Sequence, residues 1–218
     1  MSIFFIYNLS FLFVSLTIFH SESVVLDRKQ LEQWYPDFMT VNDLPLGSRN
    51  ITSISNDTFS GLAQLQILFL TSNSLTKLDD PTLFSDLKEL WYLSVSYNKI
   101  AYIHPAMFSG LTKLSTLYFE ANQLTSLDSS IFSQLSQLFL LRLDANQLKS
   151  LDGTIFSQNK KMWTLMLQDN NIGEIDSNVF KGLDGLEKVY LGSNPISLKQ
   201  PDYVKSLCST NPNCKIFL

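Results

Sequence analysis

Apolar residues recur along this chain at fixed places in a frame of 24 residues, and polar residues fill the places between them. The frame starts at Val41, Leu65, Leu90, Leu114, Leu138, Met162 and Leu186, with further apolar side chains at its positions 4, 6 and 11. Positions 4 and 6 (for example Leu117 and Phe119, or Leu141 and Leu143) alternate with polar or aromatic neighbours. A period of two places one face of a short strand inside and the other outside. Position 9 carries Asn73, Asn98, Asn122, Asn146, Asn170 and Asn194, spaced 25, 24, 24, 24 and 24 residues apart. Each sits where the chain leaves its strand, and a buried amide left unpaired there costs about 1–3 kcal/mol, so a ladder of amides bonded to backbone is expected. Phe59, Phe84, Phe108, Phe132, Phe156 and Phe180 follow once per repeat and predict an aromatic spine on the opposite side.

The frame L-x-x-L-x-L-x-x-N-x-L, as in Leu138 to Leu148 with Phe156 beyond, resembles the extracellular 24-residue leucine-rich repeats. Similar sequences occur in Toll-like receptor ectodomains, variable lymphocyte receptors and secreted invertebrate immune proteins. The resemblance spans residues 41–196 and implies an α/β solenoid: a horseshoe with a parallel β-sheet on the concave face and irregular or 3-10 turns on the convex face. It lacks the N-terminal cysteines common in that group, and its C-terminal part has two cysteines where four are usual.

Four segments are expected. Residues 1–23, apolar from Ile3 to Phe19 and followed by Ser21-Glu-Ser23, read as a secretory signal peptide, with an uncleaved anchor as the alternative. Residues 24–40 form an N-terminal cap in which Asp27 opens a short helix towards Leu31 and Trp34. Seven repeats occupy 41–196, and 197–218 form a C-terminal cap with a helix from Pro201 and the cysteines Cys208 and Cys214. In an oxidising compartment these two pair across the intervening turn, the alternative being two free thiols. Stacked repeats need covers at both ends, which gives these flanking segments their role. Arg49 replaces the ladder asparagine in the first repeat, Asp79-Asp-Pro81 accompanies the one-residue insertion, and Asn159 replaces a leucine, which predicts a looser convex turn there.

The frame also assigns the outward residues. Positions 3, 5 and 7 of successive strands bring Ile67, Phe69, Tyr92, Tyr118, Glu120, Leu140, Arg142, Asp144, Met166 and Tyr190 to the concave face, with Trp91, Phe139, Trp163 and Tyr97 flanking it. Strand positions facing solvent have no packing reason to be aromatic, and an exposed apolar patch of this extent marks an interaction site. Tyr92, Tyr118, Arg142 and Tyr190 are the expected anchors, since tyrosine and arginine dominate interface energetics. The competing explanation is cross-strand aromatic pairing that stiffens the sheet. Glu120, Asp144 and Asp169 are expected as an acidic edge, solvated or facing a basic partner; calcium binding there lacks a ligand loop.

The whole chain has 16 basic and 20 acidic residues and a net charge of −4, which does not suit a nucleic-acid backbone. No segment after residue 23 is apolar enough to span a membrane. His104 is the one histidine beyond the leader, and no nucleophile, zinc or phosphate-loop constellation accompanies it; no enzyme activity, metal or cofactor is expected. Asn50-Ile-Thr52 and Asn56-Asp-Thr58 are acceptor sequons for N-linked sugar on Asn50 and Asn56. The expectation is a secreted, extracellular, non-enzymatic recognition protein that binds a protein or microbial surface ligand on its concave face, in the setting of innate immunity. A soluble inhibitor or modulator of an extracellular enzyme or receptor, and an extracellular matrix interaction protein, are the alternatives. The sequence assigns neither the ligand nor an oligomeric state.

Overall fold

The computed structural model describes residues 23–209 and 211–218, so the expected leader lies outside the described residues apart from Ser23. The elements run β1 (Val24–Leu26), α1 (Arg28–Trp34), β2 (Asp43–Pro45), β3 (Ile51–Ile54), β4 (Ile67–Phe69), β5 (Lys77–Leu78) and β6 (Tyr92–Ser94). Then come β7 (Tyr102–Ile103), β8 (Thr116–Tyr118), β9 (Leu140–Arg142), β10 (Ser150–Leu151), β11 (Thr164–Met166) and β12 (Glu174–Ile175). The chain closes with β13 (Lys188–Tyr190), α2 (Pro195–Lys199), α3 (Pro201–Ser206) and β14 (Lys215–Phe217). This is the expected parallel-strand solenoid.

One sheet holds the repeats together, in the order β14-β13-β11-β9-β8-β6-β4-β2, with every neighbouring pair parallel. The register follows the frame: Leu117 on β8 sits beside Leu93 on β6 and Leu141 on β9, all buried. The sheet has eight strands where seven repeats were expected. The eighth is β14, whose Ile216 packs against the core next to Val189, so the segment after the cysteine loop extends the sheet as well as covering it. On the convex side the turns are tied by three short parallel pairs, β1 with β3, β5 with β7 and β10 with β12.

The asparagines form the expected ladder. Asn122 accepts from the Ile100 N–H at 2.9 Å and donates through Nδ2 to the carbonyls of Val95 at 3.0 Å and Phe119 at 3.2 Å. Each amide thus ties its own turn to the preceding one, a structural role that leaves no group for a ligand. One residue earlier, at position 8, every repeat takes a left-handed backbone: Ser48, Ser72, Tyr97, Ala121, Ala145, Asp169 and Ser193 have φ of 52–58°. This kink lets the position-8 N–H bond the next repeat, as Ala121 does to the Asp144 carbonyl at 3.0 Å. Behind the ladder the phenylalanines stack, with ring centroids 6.5 Å apart for Phe108 and Phe132 and 5.9 Å for Phe132 and Phe156.

Two departures from the frame resolve differently from expectation or in more detail. Asn159 does not loosen its turn: it is fully buried, and its Nδ2 donates to the carbonyls of Phe132 and Leu135, both at 2.9 Å. A leucine there fills space, whereas the amide adds two bonds back to the preceding repeat. Arg49, in place of the ladder amide, lays its guanidinium 4.4 Å from the Trp34 ring and 5.3 Å from that of Tyr35, and donates to the Tyr35 hydroxyl at 2.9 Å. It joins α1, capped by Asp27 at its N-terminus, to the first repeat.

Candidate functional site

The strands set adjacent side chains of the concave face about 4.8 Å apart, close enough for rings on neighbouring strands to meet. Phe69 on β4 packs on Tyr92 of β6 with centroids 5.1 Å apart, and Tyr92 meets Tyr118 of β8 edge to face at 5.3 Å. Next to Tyr118 the Arg142 guanidinium lies 5.5 Å from the ring. At the far end Tyr190 stacks on Phe217 at 4.7 Å, so β14 contributes a ring that the repeat frame did not reach. Ile67, Leu140 and Met166 complete the apolar part.

Apart from the exposed Phe217 on the end strand, these residues are half-buried rather than open, because each ring is partly covered by its neighbour on the next strand. The cross-strand pairs are therefore made by the same side chains that the sequence offers as a candidate ligand surface. Along one border of the face Trp91 is 40 % and Phe139 45 % exposed. Phe139 stacks on Trp163 at 5.2 Å with the rings 12° from parallel, and the Lys188 ammonium sits 4.5 Å from the Trp163 ring. Backbone bonds from Ser115 to Trp91 and from Phe139 to Ser115 place them in consecutive rungs.

Beside the rings runs a polar row that the frame placed at an open acidic edge. Glu120 and Asp144 are instead only 5 % and 6 % exposed. Arg142 binds both: its Nε and Nη2 donate to Asp144 Oδ1 and Oδ2 at 3.0 and 2.8 Å, and Nη1 lies 3.2 Å from Glu120 Oε1. Glu120 Oε2 accepts from Ser96 Oγ at 2.5 Å; Ser96 is 3.2 Å from Ser94 Oγ, which is 2.7 Å from Thr71 Oγ1. The row is continuous from the second repeat to the fifth. Its acids are interior groups, covered by Arg142 and the neighbouring strands; of the expected edge, Asp169 alone is exposed.

Charge and burial act on the titrating groups as this geometry requires. Burial holds the Tyr118 phenol above its ordinary value, partly opposed by the Arg142 charge, and Glu120 adds to the rise. The bond from Asp144 raises the Arg142 value, with burial acting against it. Arg142 is thus a fixed cation, positioned by its acids more than free to reach out.

Elsewhere, Asn50 and Asn56 are exposed in the first repeat, away from the concave rings; within their sequons Thr52 Oγ1 donates to the Val24 carbonyl and the buried Thr58 to that of Leu26. Cys208 and Cys214 form a disulfide. His104 accepts from the Ala106 N–H at 3.1 Å, as a turn residue does. Among the described residues no group of three or more His, Cys, Asp or Glu side chains is arranged to hold a metal, and no helix is long and apolar enough to cross a membrane.

A rigid stack that presents one ordered strand face, with aromatic and charged side chains in register, is an interaction scaffold. The family profile described as leucine rich repeat matches residues 40–100, 76–124, 93–148 and 140–196, more than half of the chain, and the chain belongs to that family. No curated protein relative matches the chain. Solenoids of this family serve as protein-interaction scaffolds.

Proposed function

We propose that this protein is a secreted, non-enzymatic recognition module that holds a protein or microbial surface ligand on its concave face, in the manner of an innate immune sensor. The observation that carries the reading is the ring row Phe69, Tyr92 and Tyr118, continued by Arg142, on a face whose backbone is fixed by the asparagine ladder. Rigid, half-covered aromatic side chains lose little conformational freedom on binding, so most of the contact energy appears as affinity. Leu140, Met166 and Tyr190 extend the surface, and Glu120 and Asp144 act through Arg142, which they hold in place.

Residues 1–23 serve as the leader in this reading, 24–40 and 197–218 as covers, and Asn50 and Asn56 carry sugars on the first repeat, clear of the rings. The Cys208–Cys214 disulfide supports an oxidising compartment. The test is photo-crosslinking in extracellular fluid, with a photoreactive phenylalanine at Tyr118 on the concave face or at Tyr102, 51 % exposed on the convex side. An adduct from the Tyr118 position alone is expected; adducts from Tyr102 alone, or equal adducts from both, reject the reading.

A further inference from the structure

Resting on that concave reading, we propose that Trp91 and Phe139, on the border of the face, wall a slot that takes a proline ring from an extended segment of the partner. An acidic residue of the same segment meets Lys161. The first reason is the arrangement of the rungs. Bonds from the Ser115 N–H to the Trp91 carbonyl at 3.0 Å and from the Phe139 N–H to the Ser115 carbonyl at 2.8 Å put a small serine between two large rings. Phe139 lies almost parallel to Trp163 at 5.2 Å, about one strand spacing, so the faces of its ring look along the row and the second one looks towards Ser115. That second face is open: Phe139 and Trp91 are both exposed, and the Ser115 hydroxyl turns the other way to donate to the Trp91 carbonyl at 3.2 Å. The long side chains nearby are tied elsewhere, Lys113 to Glu89 and Gln137 to Lys161.

The second reason is width. Trp91 and Phe139 stand two strand spacings apart, about 9.6 Å. Carbon atoms pack at about 3.5–4.0 Å, so a flat ring between the walls takes up about 7–8 Å and leaves a gap on one side. The puckered, saturated ring of proline closes that gap. A proline segment is also extended before it binds, so it loses little conformational freedom in an aromatic-lined groove.

The third reason is hydrogen bonding and charge. The carbonyls of the floor are filled: that of Trp91 accepts from the N–H groups of Ser115 and Thr116, and that of Ser115 from those of Phe139 and Leu140. A backbone N–H pressed onto this floor finds no free carbonyl, and proline has no N–H. The Trp91 indole N–H makes no hydrogen bond among the described residues, and the carbonyls of a proline segment are acceptors for it. Alongside, Lys113 and Glu89 cancel, which leaves the charge of Lys161, bonded to the neutral Gln137, in excess. Lys188 adds a second cation at the far end of the ring stack. A basic side chain is repelled here. An acidic one is drawn to Lys161, two rungs from Ser115, which is about three residues of extended chain.

Fluorescence anisotropy with three labelled alanine-rich peptides tests this. One carries a proline with a glutamate three positions to either side, one has alanine in place of the proline, and one has lysines in place of the glutamates. The proline–glutamate peptide is expected to bind at least about fivefold more tightly than either of the others. Ser115→Phe fills the slot without removing a wall and is expected to weaken that peptide by about fivefold or more. Tyr102→Ala, on the convex side, leaves its affinity unchanged. Lys161→Ala is expected to abolish the preference for glutamate over lysine. Failure of the proline–glutamate peptide to bind, equal binding of its alanine counterpart, wild-type affinity in Ser115→Phe, an equal loss in Tyr102→Ala, or a glutamate preference that persists in Lys161→Ala overturns the inference. A Tyr118 adduct from the crosslinking experiment alongside any of these results leaves the concave reading standing and rejects the proline slot alone.

Discussion

Arg142 and Asp144, two residues apart on one strand edge, are joined by two parallel bonds at 3.0 and 2.8 Å, and this pair fixes the guanidinium against the Tyr118 ring. The relationship alters how the concave face has to be probed. Removing Arg142 strands two interior carboxylates, Glu120 and Asp144, at once. Breaking a buried pair from one side costs about 3–5 kcal/mol, and the partial exposure of Arg142, whose side chain is 29 % accessible, lowers that. We expect Arg142→Ala to lose about 2–3 kcal/mol in urea unfolding, and Arg142→Met combined with Glu120→Gln and Asp144→Asn to regain most of it. A single variant as stable as wild type contradicts the buried pairing.

Three convex turns share a device in which an aspartate accepts from a hydroxyl and a backbone N–H two residues on: Asp80 with Thr82, Asp128 with Ser130, Asp152 with Thr154. The side-chain bond first and the backbone bond second hold all three carboxyls below their ordinary value. A folded value below the unfolded one means stabilisation that is complete above the unfolded value, near 3.8, and lost as pH falls through the lower folded values. The urea midpoint is expected to drop on acidification below about pH 4. In a triple Asp→Asn variant at these positions the drop should be shallower; an unchanged slope excludes the turns as its source.

The left-handed backbone at Ala121 and Ala145, φ of 54° and 52°, is unfavourable for alanine, at about 1 kcal/mol. Asparagine tolerates this region without the unfolded-state entropy that glycine brings. Ala145→Asn, at an exposed position, is therefore expected to raise stability by about 0.5–1 kcal/mol. A lower thermal midpoint would count against the turn geometry.

How much of this was legible in the sequence follows from what periodicity carries. It reports which way a side chain leaves the backbone, so Leu117 inside and Tyr118 outside were readable, as were the asparagine ladder and the phenylalanine stack. It does not report how far the next strand covers an outward side chain. Glu120 was therefore placed at an open edge, although Ser96 and Arg142 on the flanking strands enclose it. β14 was missed because one Lys-Ile-Phe run has no repeat to announce it, and Asn159 misread because a leucine-to-amide change carries no sign of the carbonyls waiting at Phe132 and Leu135.

The disulfide should matter most to that last strand. Closing a short loop contributes about 2 kcal/mol by restricting the unfolded chain, and here it holds the approach to β14. After reduction, hydrogen exchange is expected to accelerate first at the Leu191 amide, which donates to the Phe217 carbonyl at 2.8 Å, while the Leu117 amide in the central strands stays protected. Simultaneous loss at both sites would mean that the stack unfolds as one unit.

The concave surface itself is tested most directly by capture from extracellular fluid on immobilised wild type, Tyr118→Ala and Tyr102→Ala. Truncating Tyr118 removes a ring from the centre of the row and leaves the bonds of Arg142 to Glu120 and Asp144 in place, and truncating Tyr102 removes one from the convex side. The prediction is a captured protein or surface ligand whose retention falls at least about tenfold in Tyr118→Ala, a cost of about 1.4 kcal/mol, and is unchanged in Tyr102→Ala. Equal retention by Tyr118→Ala and wild type, or a loss confined to Tyr102→Ala, would contradict it.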